Sequence, residues 1–247
     1  MLHKTIKFKA SEFFVLEKEI NPIASFKELP EWFKSLKETT PKSSNTLRMC
    51  KPFFDSLTAG YVIKATKDID IKTFVNEKGE EDYADHQNNF NSNYVEQKYG
   101  KRTNLNTNQW HAATQLGEKC PFHSHNNNRN YYKYLNCWYI YTPPGYSCLF
   151  TPILNDINKD FYTLSGIVDT DTYHEVNFPM VLLEKNTFIK KGTKIAQVIP
   201  FKRDKWKMKV ESLSEKDIYD LDRKEFRHAM IKKYFYKTYS WIKKQWI

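Results

Sequence analysis

Glycine is scarce in this chain, seven residues in 247, and that scarcity limits the available backbone shapes more than any other feature. A glycine-rich phosphate loop is excluded, since neither G-x-G-x-x-G nor G-x-x-x-x-G-K occurs. Four of the seven glycines fall at apolar strand-turn junctions. They are Thr58-Ala59-Gly60-Tyr61-Val62-Ile63, Pro143-Pro144-Gly145-Tyr146-Ser147-Cys148-Leu149-Phe150-Thr151-Pro152, Gly166-Ile167-Val168-Asp169-Thr170-Asp171, and Ile189-Lys190-Lys191-Gly192-Thr193-Lys194-Ile195-Ala196-Gln197-Val198. Each is expected to mark a positive φ or a close approach between strands.

The rest of the composition is globular: 40% apolar and 28% charged residues are enough to build a core at this length. No run of 18 apolar residues is present, so no membrane span is expected. Met1-Leu2-His3-Lys4 leads into mixed charge without the apolar stretch of a signal peptide. Cys50, Cys120, Cys137 and Cys148 show no C-x-x-C pairing and read as reduced thiols. The expectation is a protein that is not secreted, placed in the cytoplasm of a host cell or in a virion.

Along the chain, three regions are expected. Residues 1–46 form an N-terminal extension, with a strand at Thr5 to Lys9, a helix around Pro30 to Lys34 and a polar linker from Thr39. Residues 47–202 form a β core, extended over 47–75 and densest over 138–202, where Pro and Gly punctuate short apolar runs. An insertion at about 76–137 interrupts it, opening with seven asparagines between Asn88 and Asn108. Residues 203–247 form a long basic, aromatic helix that Ser214 caps, with Glu215 and Asp217 in its first turn.

Taken in order, the four glycine segments resemble the dUTPase family and its β-clip relatives, among them dCTP deaminase. The family's motifs run A-G-Y-D-L, P-x-G-x-x-G-L-x-x-P, G-V-I-D-x-x-Y-x-G and K-x-G-D-R-I-A-Q-L. The match covers about 50 positions, and its specific part is the third motif together with Ile195-Ala196-Gln197. The resemblance implies a distorted β-clip barrel, assembly as a trimer, and sites between subunits. The fold class is therefore expected as mainly β with helical extensions. Over most of its length the chain also resembles uncharacterised proteins of marine tailed phages, and its Lys/Asn/Ile/Phe/Tyr-rich composition suits an AT-rich genome.

The same resemblance implies a mechanism and shows where it is broken. The family's carboxylate activates water for attack on an α-phosphate, beside a sugar-stacking tyrosine and a metal-bound triphosphate cradle. Asp169 falls on the base position. Thr172 stands in the tyrosine's place with Tyr173 one residue on, His174 replaces a glycine, and Val62 replaces the aspartate of the first motif. Where the family has Arg-Ser-Ser after Thr151-Pro152, this chain has Ile153-Leu154-Asn155. Losing those donors removes several charge-assisted hydrogen bonds of roughly 1.5–3 kcal/mol each.

Two readings follow. The first is a non-catalytic, dUTPase-like binding or assembly protein, homo-oligomeric and needing no cofactor. The second is a nucleotide-binding hydrolase or sensor using Asp169 with Mg²⁺, in which Asp171, Tyr173, Gly60 and Tyr61 touch the ligand. The segment from Arg223 to Ile247 carries eight basic residues and one acid, a net +7 out of +10. Arg223, Lys224, Arg227, Lys232, Lys233 and Lys237 are the candidates for contact with nucleic acid or another polyanion, against the alternative of a docked helix with lysines reaching to water. Cys120, His123 and His125 are the metal-ligand candidates, the two histidines sharing a face if the segment is a strand. Their spacing makes no zinc site.

Overall fold

The computed structural model describes residues 4–42, 46–85, 110–117, 119–125, 129–223 and 246. In chain order the elements begin with β1 (Lys7–Lys9), α1 (Glu12–Leu16), β2 (Ile23–Ala24), α2 (Glu31–Ser35) and α3 (Lys51–Thr58). Next come β3 (Tyr61–Lys64), β4 (Ile69–Val75), β5 (Glu81–Asp85), β6 (Trp110–His111), α4 (Pro121–His125) and β7 (Tyr131–Tyr134). The densest part follows as β8 (Tyr139–Tyr141), β9 (Tyr146–Thr151), β10 (Phe161–Thr163) and β11 (Gly166–Val168). It ends with β12 (Phe178–Leu182), β13 (Thr187–Ile189) and the nine-residue β14 (Lys194–Lys202). A helix over 215–223 closes the described chain. No helix among the described residues is long and apolar enough to cross a membrane.

The architecture is mainly β. Its largest sheet orders β11-β9-β14-β3-β2, a second orders β10-β12-β7-β6, a third β13-β4-β5, and β1 pairs with β8. All these pairings are antiparallel. The expected barrel does not close among the described residues. Most strands span two to five residues, too short for a continuous ladder around a closed wall, and the chain changes sheet between them. Alternation sets the faces: Ile69 and Ile71 of β4, Phe161 and Thr163 of β10, and Thr187 and Ile189 of β13 point inward while their neighbours do not. The core joins them to Ile63, Tyr132, Ile140, Met180, Leu182 and Ile195.

All four glycine segments converge on the five-stranded sheet, through β3, β9, β11 and β14. Gly60 has φ +67°, and a Cβ there would fall 1.9 Å from the Val198 carbonyl oxygen, so β14 crosses against bare backbone. Gln197, fully buried beside it, donates to the carbonyls of Ser56 (2.9 Å) and Ala59 (2.6 Å) and accepts from the Leu154 amide at 2.9 Å. Gly145 and Gly192 also have positive φ. Gly166 does not, and no atom lies within 4 Å of a Cβ built on it, so the expectation for that glycine fails.

Other expectations change as well. Residues 51–58 are helical rather than extended. Pro52 sits in the first turn of α3, and the rings of Phe53 and Phe54 each lie 5.9 Å from that of Phe33 on α2, a contact that local β-propensity cannot report. The described part of residues 1–46 is woven into the body, since β2 pairs with β3 and Phe14, Ile20 and Phe33 are buried. The span 76–137 contributes β5, β6 and β7, with Tyr131, Tyr132 and Tyr134 buried. Buried Arg129 ties that span together, donating to the Tyr83 hydroxyl at 2.7 Å and to Glu81 at 2.6 Å. Of the asparagine-rich stretch, residues 86–109 lie outside the described residues.

Replacing Gly60 with alanine forces a Cβ into the Val198 carbonyl and strains a left-handed backbone. It is expected to lower unfolding free energy by at least about 2 kcal/mol, measured by urea denaturation.

Candidate functional site

The third glycine segment ends in a turn that follows β11 and holds Asp169 and Asp171. The Thr172 and Tyr173 amides both bond the Asp169 carbonyl at 2.9 Å, and the Thr172 hydroxyl donates to it at 3.1 Å. Thr170 between the acids is fully buried, 2.8 Å from the Thr142 hydroxyl and 3.3 Å from the Cys148 sulfur. The two carboxylates are thus presented from a backbone fixed on both sides.

A cation that the motif comparison had not singled out lies between them. Arg203 follows β14 directly, and its amide bonds the Gly145 carbonyl at 2.8 Å. Its guanidinium grips Asp171 with both nitrogens, Nη1 to Oδ1 at 2.9 Å and Nη2 to Oδ2 at 2.5 Å. The same Nη1 lies 3.1 Å from Asp169 Oδ1 and 3.1 Å from the Ser147 hydroxyl. Ser147 donates to Asp169 Oδ1 at 2.6 Å, and the Gly145 amide donates to Asp171 Oδ2 at 2.8 Å. The β9–β14 register explains the meeting, for Ser147 pairs with Phe201 and Arg203 lies two residues on, beside Gly145. Nothing in the sequence states that register, so neither Arg203 nor Ser147 was legible as a partner of the acids.

The Asp171 side chain is only 7% exposed, whereas that of Asp169 is 57% exposed. The guanidinium beside Asp171, helped by the Gly145 amide, holds its carboxyl down to about 2. A bidentate arginine pair of this kind is geometrically specific as well as charge-assisted. It does not fit Mg²⁺. A hard divalent cation needs free carboxylate oxygens and several waters, and here one guanidinium bridges both acids.

The residues that follow Thr151-Pro152 are likewise engaged internally. The Leu154 amide bonds Gln197, and Asn155, in a left-handed conformation at φ 59°, donates to the Ser56 hydroxyl at 2.6 Å. The adjoining cleft, about 150 Å³, is lined by Ile153, Asp156, Phe161 and Lys194. Lys194 is paired there with Asp156 at 2.9 Å. His174, in the place of a glycine, points Nδ1 at the carbonyls of Thr170 (3.1 Å) and Ile140 (3.2 Å) and stacks on Tyr141 with ring centres 3.8 Å apart.

Of the remaining candidates, Tyr173 shares the turn through its amide on the Asp169 carbonyl and is 61% exposed. Gly60 and Tyr61 lie at the β3 side of the sheet, and β14 and β9 stand between β3 and β11, a separation of about 14 Å. The Tyr61 ring meets Phe8 at 5.6 Å and Trp246 at 6.1 Å, bordering a cleft of about 220 Å³ that Lys4 and Tyr146 also line. Burial raises the Tyr61 phenol above its ordinary value. The segment of His123 and His125 is the helix α4, not a strand, and positions two apart on a helix stand about 200° around its axis. Among the described residues no three His, Cys, Asp or Glu side chains gather as metal ligands.

At the C-terminus, Ser214 does cap: its hydroxyl accepts from the Asp217 amide at 3.2 Å while the Asp217 carboxylate accepts from the Ser214 amide at 2.9 Å. Arg223 is exposed, with its guanidinium 5.6 Å from the centre of the Tyr219 ring. Lys224, Arg227, Lys232, Lys233 and Lys237 lie outside the described residues. Compared with protein-family profiles and with curated proteins, the sequence matches neither.

Replacing Arg203 with glutamine removes the cation that keeps Asp171 ionised. Because the folded-state value of Asp171 lies below the ordinary aspartate value of about 3.9, its contribution is present above that value and lost as pH falls toward 2. Thermal melts are expected to show Arg203→Gln less stable than wild type at pH 7, with the difference narrowing from pH 4 to pH 2.

Proposed function

We propose that this chain is a non-catalytic, dUTPase-like binding or assembly protein, phage- or virus-encoded, that self-associates. The observation that carries the reading is the state of Asp169. At the position where the family's base would sit, its Oδ1 already accepts the Ser147 hydroxyl and faces Arg203. A general base must hold a water within hydrogen-bond reach and take its proton as the water oxygen attacks phosphorus, and this carboxylate is instead tied into a brace joining β9, β11 and β14.

Two further features support it. The retained motif residues have structural duties: Gly60 admits β14, and Gln197 locks the Ala59 and Leu154 turns. The residues that differ from the family, Ile153, Leu154, Asn155, Thr172 and His174, make turns and packing contacts rather than an open cradle of cations. Likeness of scaffold does not carry activity with it. The phage or virus origin rests on the resemblance of the sequence and on its composition.

Isothermal calorimetry with each deoxynucleoside triphosphate and Mg²⁺ is expected to give no binding heat and no hydrolysis product. Micromolar binding that Asp169→Asn abolishes would replace this reading with a nucleotide-handling one.

A further inference from the structure

The inner face of the five-stranded sheet outruns the core that covers it. Along β14, Val198, Pro200 and Lys202 share that face and pass from fully buried through half-buried to exposed. Register sets Tyr61 of β3 beside Val198 and Tyr146 of β9 beside Lys202, so the two tyrosines flank Pro200. Facing them is the chain around β1, whose partner β8 belongs to another sheet. There the Phe8 ring lies 5.6 Å from that of Tyr61, and Ile6 packs on the core. The same alternation, carried one step further, puts Lys4 at the rim, its ammonium 5.8 Å from the centre of the Tyr146 ring. The two sheets part here, and the space between them is the cleft of about 220 Å³.

Its lining is rich in rings and poor in free donors. Tyr61, Tyr146 and Trp246 supply aromatic surface, the Tyr61 and Trp246 rings standing at 84° to each other. Pro143 and Pro200 add rigid rings that carry no amide N–H. The Thr142 hydroxyl is engaged already, 3.1 Å from the Tyr146 carbonyl oxygen and 2.8 Å from the Thr170 hydroxyl. Arg203 donates to the same Tyr146 carbonyl at 3.2 Å, so two donors hold that residue's backbone. No carboxylate lines the cleft, and Lys4 makes no ion pair among the described residues. One ammonium therefore stands unneutralised beside a wall of aromatic rings.

We propose that this cleft binds a planar aromatic ring bearing a single carboxylate, with the ring against Tyr61, Tyr146 and Trp246 and the carboxylate on Lys4. A site for a drug-sized molecule spans roughly 300–1,000 Å³, so this volume takes one small ring and little more. Three aromatic walls favour a flat π system, which meets them edge-to-face or offset. The single ammonium matches one negative charge, whereas a triphosphate would bring several to it. The site uses neither Asp169 nor a second copy, so it goes beyond the self-association reading and is tested apart from it.

The test follows the ¹⁹F NMR line of 4-fluorobenzoate titrated with the full chain. A saturable shift and broadening are expected, with a dissociation constant of about 1 mM or tighter. Lys4 is exposed, so Lys4→Gln keeps the fold. That variant is expected to weaken 4-fluorobenzoate at least about fivefold while leaving the weaker binding of 4-fluorobenzyl alcohol unchanged. Tyr146→Leu is expected to weaken both probes, with a circular dichroism melt to check that it folds. Fluoroacetate, a carboxylate without a ring, is expected not to bind. No saturable shift up to about 10 mM 4-fluorobenzoate overturns the proposal. So does binding that neither variant alters, which places the probe elsewhere, or an alcohol that binds as well as the carboxylate. If Tyr146→Leu unfolds, the Lys4→Gln comparison decides alone. A chain that proves monomeric leaves this result untouched, so failure here and failure of the self-association reading are distinct.

Discussion

The passage of β14 over Gly60 is the constraint on which the rest of the structure depends. Only a residue without Cβ lets a carbonyl oxygen approach as Val198 does, and only a left-handed turn brings α3 into β3 at that point. With β14 seated, Gln197 is fully buried and all its polar atoms find backbone partners, so its burial costs little where an unpaired amide would cost about 1–3 kcal/mol. The same strand then lines up Ser147 with Phe201 and brings Arg203 to the acids. Scaffold and electrostatic cluster are two consequences of one strand placement.

That placement changes the chemistry open to Asp169 and Asp171. Two carboxylates on one turn repel each other and attract a cation; here the cation is a side chain, supplied from the next strand but one in the sheet. Arginine is suited to the role, since its planar fork satisfies one carboxylate with two bonds and reaches the other with a shared nitrogen. The result is a brace across the sheet end. Residues 204–214, all exposed, leave the sheet from that same point.

Several features were legible from residues alone. Short apolar runs punctuated by Pro and Gly located the strands over 138–202, the glycine junctions marked turns around the main sheet, and Ser214 with Asp217 announced a helix start that the structure contains. The misreadings share a cause. Residues 51–58 fall within the stretch 47–75 that reads as extended, but Phe53 packs on Phe33, 20 positions away, and the segment is helical. His123 and His125 would share a face only in a strand, and a proline at the first position of α4 starts a helix instead. Tyr131, Tyr132 and Tyr134 fall within the 76–137 span, and there they form the strand β7, enclosed in a sheet by β12 and β6.

The sequence by itself determined that this chain is β-rich, where most of its backbone turns fall, and where its charge is concentrated. Those properties are local: they depend on the side chain at a position, or on spacing along one strand or helix. Only the tertiary structure decided that the described strands form separate antiparallel sheets, that the N-terminal segment is part of the core, and that Arg203 bridges the two acids. Each of these depends on register between strands far apart in the chain, and register is set by the packing of faces against one another rather than by any residue's own preference.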